Sequence, residues 1–187
     1  MSRSSAGVLC AGCDRELATA SVVIEPGPPG LDLAVSAAPF EGVARRVVHG
    51  LKYARRLTLA RVAADAMLRA LPDRESPGVL VPVPAATWRW RWRGFDPGEE
   101  IARAVGEAGG LRLEACLRRV GGRRQVGRHR AERLSDPPRI TLEGDAPSSA
   151  LLIDDVWTTG ATLSACALAL RSGGCRRVVG LTLARTL

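Results

Sequence analysis

The stretch Leu151-Leu-Ile-Asp-Asp-Val-Trp-Thr-Thr-Gly-Ala-Thr162 decides the fold that this sequence predicts. Apolar residues 150–153 predict a buried strand, and two adjacent carboxylates follow it directly. Small and hydroxyl-bearing residues come next, and residues 162–171 then predict a helix. A strand, a polar turn and a helix in this order are typical of a parallel α/β sheet, where ligands collect outside the carboxyl ends of the strands.

The two halves of this stretch suit two parts of a sugar phosphate. The loop half is small or hydroxyl-bearing throughout: Thr158, Thr159, Gly160, Ala161 and Thr162. Such residues let backbone N–H groups converge on a phosphate at a helix N-terminus. The carboxylates of Asp154 and Asp155 would repel that phosphate, but they can accept hydrogen bonds from the diol of a ribose. The alternative is a plain turn with a helix N-cap.

Apolar periodicity predicts alternating strands and helices in the rest of the chain. Strands are predicted over residues 31–37, 79–83, 116–120 and 177–183, and helices over residues 41–53, 57–71 and 97–108. This alternation implies an α/β fold with a doubly wound, mostly parallel sheet. Residues 1–30 contain a Pro-Gly-rich stretch and predict a short irregular N-terminal segment, so that residues 31–187 form the main domain.

Charge and composition indicate in which compartment the protein works and which partners it favours. Lys and Arg number 27 against 19 Asp and Glu, which gives a formal charge of +8 and favours anionic partners. No apolar run approaches the roughly 18 residues of a membrane span, and no signal peptide is evident, so we expect a cytoplasmic protein without membrane insertion. The pair Cys10 and Cys13 supplies half of a tetrahedral zinc site, and we do not expect zinc there.

Four motifs carry a resemblance to a known family. Residues 152–162 resemble the phosphoribosyl-diphosphate fingerprint of type I phosphoribosyltransferases. Gly50-Leu-Lys-Tyr53, Val81-Pro-Val-Pro84 and Arg93-Gly-Phe95 are similar to motifs of the competence-type ComF family within that superfamily. The resemblance implies a sheet of the type I phosphoribosyltransferase kind and covers residues 33–187.

The resemblance also implies roles for individual residues. Asp154 and Asp155 would bind the ribose hydroxyls, residues 158–162 the 5′-phosphate, and the loop at Val83 and Pro84 the diphosphate. The sequence departs from the family pattern at Asp96 and Ser135, where the family often has Asn. These two departures concern contacts with the second substrate or with a mobile loop more than the phosphoribosyl site.

Several basic residues remain open to two interpretations. Lys52 and Arg93 are the cations expected near the diphosphate or an incoming anion, although Lys52 could also be a solvated helix end. The basic segment 123–133 is either a loop that closes over the reaction or a plain basic surface. Residues 88–93 alternate Trp and Arg, which suits single-stranded nucleic acid or packed tryptophans with solvated arginines; we favour packing or mixed use.

Two functions follow from the resemblance. The first is an enzyme of nucleotide metabolism, a phosphoribosyltransferase of the glycosyltransferase class, which transfers the phosphoribosyl group to a nitrogen acceptor. Its Mg²⁺ would be bound to the substrate, and Asp155 would be the nearest candidate for a catalytic residue. The second is a non-catalytic accessory protein of DNA uptake in natural transformation, which binds a nucleotide, single-stranded DNA or competence proteins. The sequence indicates neither the acceptor nor the oligomeric state.

Overall fold

The computed structural model describes residues 7–72, 75, 78–85, 94–120 and 138–186. Within these ranges the helices and strands follow in chain order: α1 (Ala11–Ala18), β1 (Val23–Glu25), β2 (Leu33–Pro39), α2 (Gly42–Ala54), α3 (Leu59–Ala70), β3 (Val79–Pro82), α4 (Pro97–Gly109), β4 (Arg112–Leu113), β5 (Leu117–Val120), β6 (Arg139–Leu142), β7 (Ser149–Trp157), α5 (Ala161–Ser172) and β8 (Arg177–Arg185).

A six-stranded sheet in the order β1-β2-β8-β7-β3-β4 forms the centre of the molecule. Strand β1 pairs with β2 in antiparallel fashion, and the other four pairings are parallel. Strands β5 and β6 form a separate antiparallel pair. The prediction of an α/β fold with a mostly parallel sheet is therefore confirmed.

Helices cover both faces of this sheet, an arrangement compatible with a doubly wound fold. Leu151 and Ile153 of β7 pack on the face that is covered by α2, α3 and α4, whereas Ala150 and Leu152 pack on the opposite face against α5. This alternation follows from the two-residue period of a strand. All four residues are fully buried, and each leucine or isoleucine contributes about 1.5–3 kcal/mol through burial of its side chain.

The strand order reverses between β3 and β7. From β3 the chain passes through α4 to β4 on one side, and from β7 it passes through α5 to β8 on the other. Strand β3 ends beside Ile153 of β7, where the N–H of Val83 donates to the carbonyl of Ile153 at 2.9 Å, and β7 continues for four more residues. A reversal of this kind leaves a crevice outside the carboxyl ends of the strands, and ligands bind there in open α/β sheets.

The N-terminal segment differs from the prediction. Residues 1–30 were expected to be irregular, but they include α1 and β1. Helix α1 buries Leu17, and its Glu16 carboxylate accepts a hydrogen bond of 2.7 Å from the N–H of Val43 at the start of α2. Tertiary contacts therefore hold a helix whose own sequence has almost no apolar periodicity.

Strand β7 is longer than its apolar residues predict. Pairing with β8 continues past Ile153, and Trp157 lies opposite Arg185. Asp154 and Asp155 consequently lie within β7, which pairs with β8 at this point. Among the helices in the described part of the chain, none is long and apolar enough to cross a bilayer.

Candidate functional site at the carboxyl edge of the sheet

A cavity of about 260 Å³ opens where β3 and β7 end. Its lining comes from α2, the loop after β3, the start of α4, β5, β7 and the start of α5: Phe40, Lys52, Val83, Pro84, Ala85, Asp96, Pro97, Gly98, Arg119, Asp154, Asp155, Val156, Thr158 and Thr162. A smaller recess adjoins it and is lined by Thr159, Gly160 and Ala161 as well as by Asp154. The structure thus brings together every predicted site residue that lies within its described part.

Lys52 and Asp155 form an ion pair inside this cavity. The ammonium nitrogen lies 2.8 Å from Oδ1 and 2.7 Å from Oδ2 of the carboxylate, so both oxygens share one cation. The two side chains are only 19% and 10% exposed, respectively. Lys52 therefore turns into the cavity from the last turn of α2 rather than ending free in solvent, and a bound anion would meet it there.

Asp154 is held differently from its neighbour. Its Oδ1 accepts a hydrogen bond of 2.8 Å from the backbone N–H of Asp155. Burial and, second to it, the charge of Asp155 raise the pKa of Asp154 to about 8, although that N–H and the Lys52 ammonium act in the opposite direction. At neutral pH the Asp154 carboxyl is therefore mostly protonated, and it can donate a hydrogen bond as well as accept one.

The loop between β7 and α5 turns tightly at Gly160 and leads directly into a helix N-terminus. Gly160 adopts a φ of +78°, and a Cβ there would lie 2.8 Å from the indole nitrogen of Trp157. Only glycine fits this position without displacing the indole. Helix α5 begins at Ala161, and the N–H groups of a first helical turn have no acceptor within the helix. Together with the positive end of the helix dipole, they favour a bound anion.

Asp96 connects the loop after β3 to the start of α4. Its Oδ1 accepts from the N–H of Gly98 at 2.9 Å, and its Oδ2 accepts from the N–H of Ala85 at 3.0 Å. Burial raises the pKa of Asp96, while these two hydrogen bonds lower it. An asparagine has one side-chain oxygen and could accept at only one of the two positions. Asp96 therefore fixes the position of Val83 and Pro84 relative to α4.

Two residues line this cavity that the sequence analysis did not assign to it: Asp96, which it named only as a departure from the family pattern, and Arg119, which it did not single out. Asp96 could have been recognised as a helix N-cap, because it directly precedes Pro97 in the first turn of α4. Arg119 of β5 lines the cavity, whereas its neighbour Arg118 pairs with exposed Glu143 at 3.0 Å. The sequence alone does not show which of two consecutive arginines faces the cavity. That choice depends on the strand, in which consecutive side chains point to opposite sides.

Four predictions concern residues that the structure does not describe: Arg93, the Trp-Arg run at residues 88–93, the basic segment 123–133 and Ser135. Cys10 is exposed at the start of α1, and Cys13 is partly exposed. Within the described ranges, no group of three or more His, Cys, Asp or Glu side chains could hold a metal ion.

Fold and site together define an α/β protein with a polar crevice at the carboxyl edge of a mostly parallel sheet. No protein-family model matches the chain, and no curated protein matches its sequence. The chemistry of the site is therefore inferred from its own residues and geometry.

Proposed function

We propose that this protein binds phosphoribosyl diphosphate, or the 5′-phosphate of a nucleotide, in the crevice between β3 and β7. One observation carries the proposal: the acidic pair and the loop at the start of α5 border the same cavity. Asp154 and Asp155 supply oxygens for the two ribose hydroxyls, and residues 158–162 supply backbone and hydroxyl donors for the 5′-phosphate.

The diphosphate of this ligand has its own candidate partners. The loop at Val83 and Pro84 lines the cavity, and Asp96 holds it in position. Lys52 is the cation that can change partner, because ligand phosphate oxygens in this cavity would compete with Asp155 for its ammonium group. We infer that ligand binding moves Lys52 from Asp155 to the diphosphate and frees Asp155 for a ribose hydroxyl.

Mg²⁺ belongs with the ligand in this proposal. It would bind the diphosphate and ribose oxygens and keep several waters, as this ion prefers. Of the two neighbouring carboxyls, Asp155 is paired with Lys52 and Asp154 is mostly protonated at neutral pH. Such a pair suits a metal that arrives on its substrate better than one that the protein holds permanently.

We further propose that the bound ligand reacts by phosphoribosyl transfer. A nitrogen nucleophile forms a bond to C1 of the ribose, the C1–O bond breaks, diphosphate leaves with the bonding electron pair, and the proton of the attacking N–H is released to water. Positive charge develops on the ribose, and negative charge develops on the leaving group. Positioning and electrostatic stabilisation by the cavity would provide most of the rate enhancement. Asp155, which is buried and lines the cavity, is the candidate catalytic residue.

Calorimetric titration with phosphoribosyl diphosphate and Mg²⁺ tests the binding proposal. We expect saturable binding by the intact protein and at least tenfold weaker binding by the Asp154→Asn/Asp155→Asn variant. The control is Asp145→Asn, which removes an exposed carboxylate outside the cavity. Absence of binding by the intact protein would rule out the proposed function.

Diphosphate release distinguishes the enzyme from the accessory protein. The protein is incubated with phosphoribosyl diphosphate, Mg²⁺ and a panel of purine and pyrimidine bases, and diphosphate is measured over time. Release that depends on one base supports transfer. Binding without release, together with an affinity for single-stranded DNA that falls steeply with salt, supports the accessory function that the charge of +8 also allows.

A further inference from the structure

Trp157 and Arg185 form a stacked pair directly behind the phosphate loop. They are opposite each other in the neighbouring strands β7 and β8. The guanidinium carbon lies 4.1 Å from the centroid of the indole ring. Trp157 is only 6% exposed, and the Arg185 side chain is 19% exposed, so water competes little with this contact.

The same guanidinium holds the backbone that leads into the loop. Its Nη1 donates to the carbonyl of Thr158 at 2.6 Å and to that of Thr186 at 2.7 Å, with a longer contact of 3.4 Å to the carbonyl of Trp157. In a trans peptide the C=O and the following N–H point in opposite directions. A Thr158 carbonyl that is held toward Arg185 therefore turns the N–H of Thr159 to the other side of the loop.

Trp157, Thr158, Thr159 and Gly160 line the recess, whereas Arg185 is not part of its lining, so Arg185 contacts the loop from outside the recess. The indole of Trp157 also reaches under the loop, because a Cβ on Gly160 would lie 2.8 Å from its nitrogen. Arg185 thus acts on the loop in two ways, through a backbone carbonyl at its start and through the indole beneath Gly160.

We infer that Arg185 is a positioning residue for the phosphate-binding loop. It keeps the carbonyl oxygen of Thr158 away from the recess, so that the N–H of Thr159 rather than this carbonyl oxygen faces the bound phosphate. Arg185 itself touches no ligand. This inference rests on the proposed function, since it concerns the loop to which the 5′-phosphate is assigned.

The test uses ribose 5-phosphate as the probe and ¹H–¹⁵N spectra of the whole chain as the readout. The variants are Arg185→Met, which loses both the charge and the fork of donors, and Arg185→Lys, which keeps only the charge. Glu25→Gln is the control, because the Glu25 carboxylate lies 3.6 Å from Nε of Arg185 and contacts none of the loop carbonyls described above. All proteins are compared well below their unfolding temperatures.

In the intact protein we expect ribose 5-phosphate to shift the amide signals of residues 158–162 in a saturable manner. Arg185→Met should bind the probe at least tenfold more weakly, with free-state amide shifts confined to the loop and the adjoining strand ends. Arg185→Lys should recover only part of this loss, because an ammonium group cannot stack on the indole and donate to the backbone carbonyls as a planar guanidinium does. Glu25→Gln should bind the probe within about twofold of the intact protein.

Unchanged affinity in Arg185→Met would overturn the inference, and so would an affinity loss accompanied by shifted amides throughout the sheet, which indicates a general packing role. An intact protein that binds no ribose 5-phosphate would instead overturn the proposed function. The two failures are therefore distinguishable in one set of spectra.

Discussion

Replacement of Asp154 by Asn tests the electrostatics of the site without any ligand. Asparagine keeps an oxygen for the 2.8 Å hydrogen bond from the N–H of Asp155 but carries no ionisable group. In the native protein, burial and the charge of Asp155 raise the pKa of Asp154 to about 8, whereas an unfolded aspartate has a pKa of about 3.9. At a pH between these two pKa values, Asp154 of the folded protein keeps a proton that the same residue of the unfolded chain has released.

The sign and the size of the effect follow from this difference. Where the folded state binds more protons, stability falls as pH rises, by about 1.4 kcal/mol per pH unit for one group. From pH 5 to pH 8 this amounts to at most about 4 kcal/mol, which is about 8–16 °C in melting temperature for a chain of this size. Asparagine does not titrate, so Asp154→Asn should gain this much stability relative to the native protein over that range.

The assay is urea unfolding of both proteins at pH 5, 6, 7 and 8 and at constant ionic strength. The informative quantity is the difference between the two free energies of unfolding, because titrating groups that do not interact with Asp154 cancel in it. Asp145→Asn is the matched control, because it makes the same substitution at an exposed position. If the curves of Asp154→Asn and the native protein run parallel from pH 5 to pH 8, the raised pKa is refuted.

Two further predictions concern the ion pair and the loop glycine. Lys52→Met should lower the free energy of unfolding at pH 7 by about 2–3 kcal/mol, because it leaves the mostly buried Asp155 without its cation. The double variant Lys52→Met/Asp155→Asn should recover most of this loss in urea unfolding, and a double variant no more stable than the single one would contradict the prediction. Gly160→Ala should cost about 1–2 kcal/mol through its φ of +78° and should also abolish ribose 5-phosphate binding by displacing Trp157. Gly144→Ala has a similar φ of +80° and open space around it, so it should lose stability only through the strained φ and should bind normally; equal binding by both variants would disprove the role of Gly160.

The sequence predicted those parts of the fold whose signal is local. Helix α2 has buried Val43, Val47 and Leu51 on one face, and its predicted range of 41–53 differs by one residue at each end from Gly42–Ala54. Helix α1 was missed because it buries only Leu17, and β4 because two residues carry no period. In these elements tertiary contacts, rather than the local pattern, determine the structure.

In the candidate site, too, only the features that are local in the sequence could be predicted. The acidic pair and the glycine loop are adjacent in sequence, so their proximity could be read directly from residues 151–162. The partner of Asp155 could not be predicted in this way, because Lys52 is 103 positions away and belongs to helix α2, whereas Asp155 belongs to strand β7. The stack of Arg185 on Trp157 likewise depends on the register of β7 and β8, which strand composition alone does not determine.

The charges in the cavity restrict which ligand can occupy it. Asp96, Asp154 and Asp155 line one space, and the cations in its described lining are Lys52 and Arg119. A purely anionic ligand would meet at least as many acidic groups as basic ones, despite the net charge of +8 of the chain. A plain sugar would provide no anion for the positive end of the α5 dipole. A ligand with hydroxyls at one end and a phosphate at the other satisfies both halves of the site, and protonation of Asp154 weakens the repulsion between them.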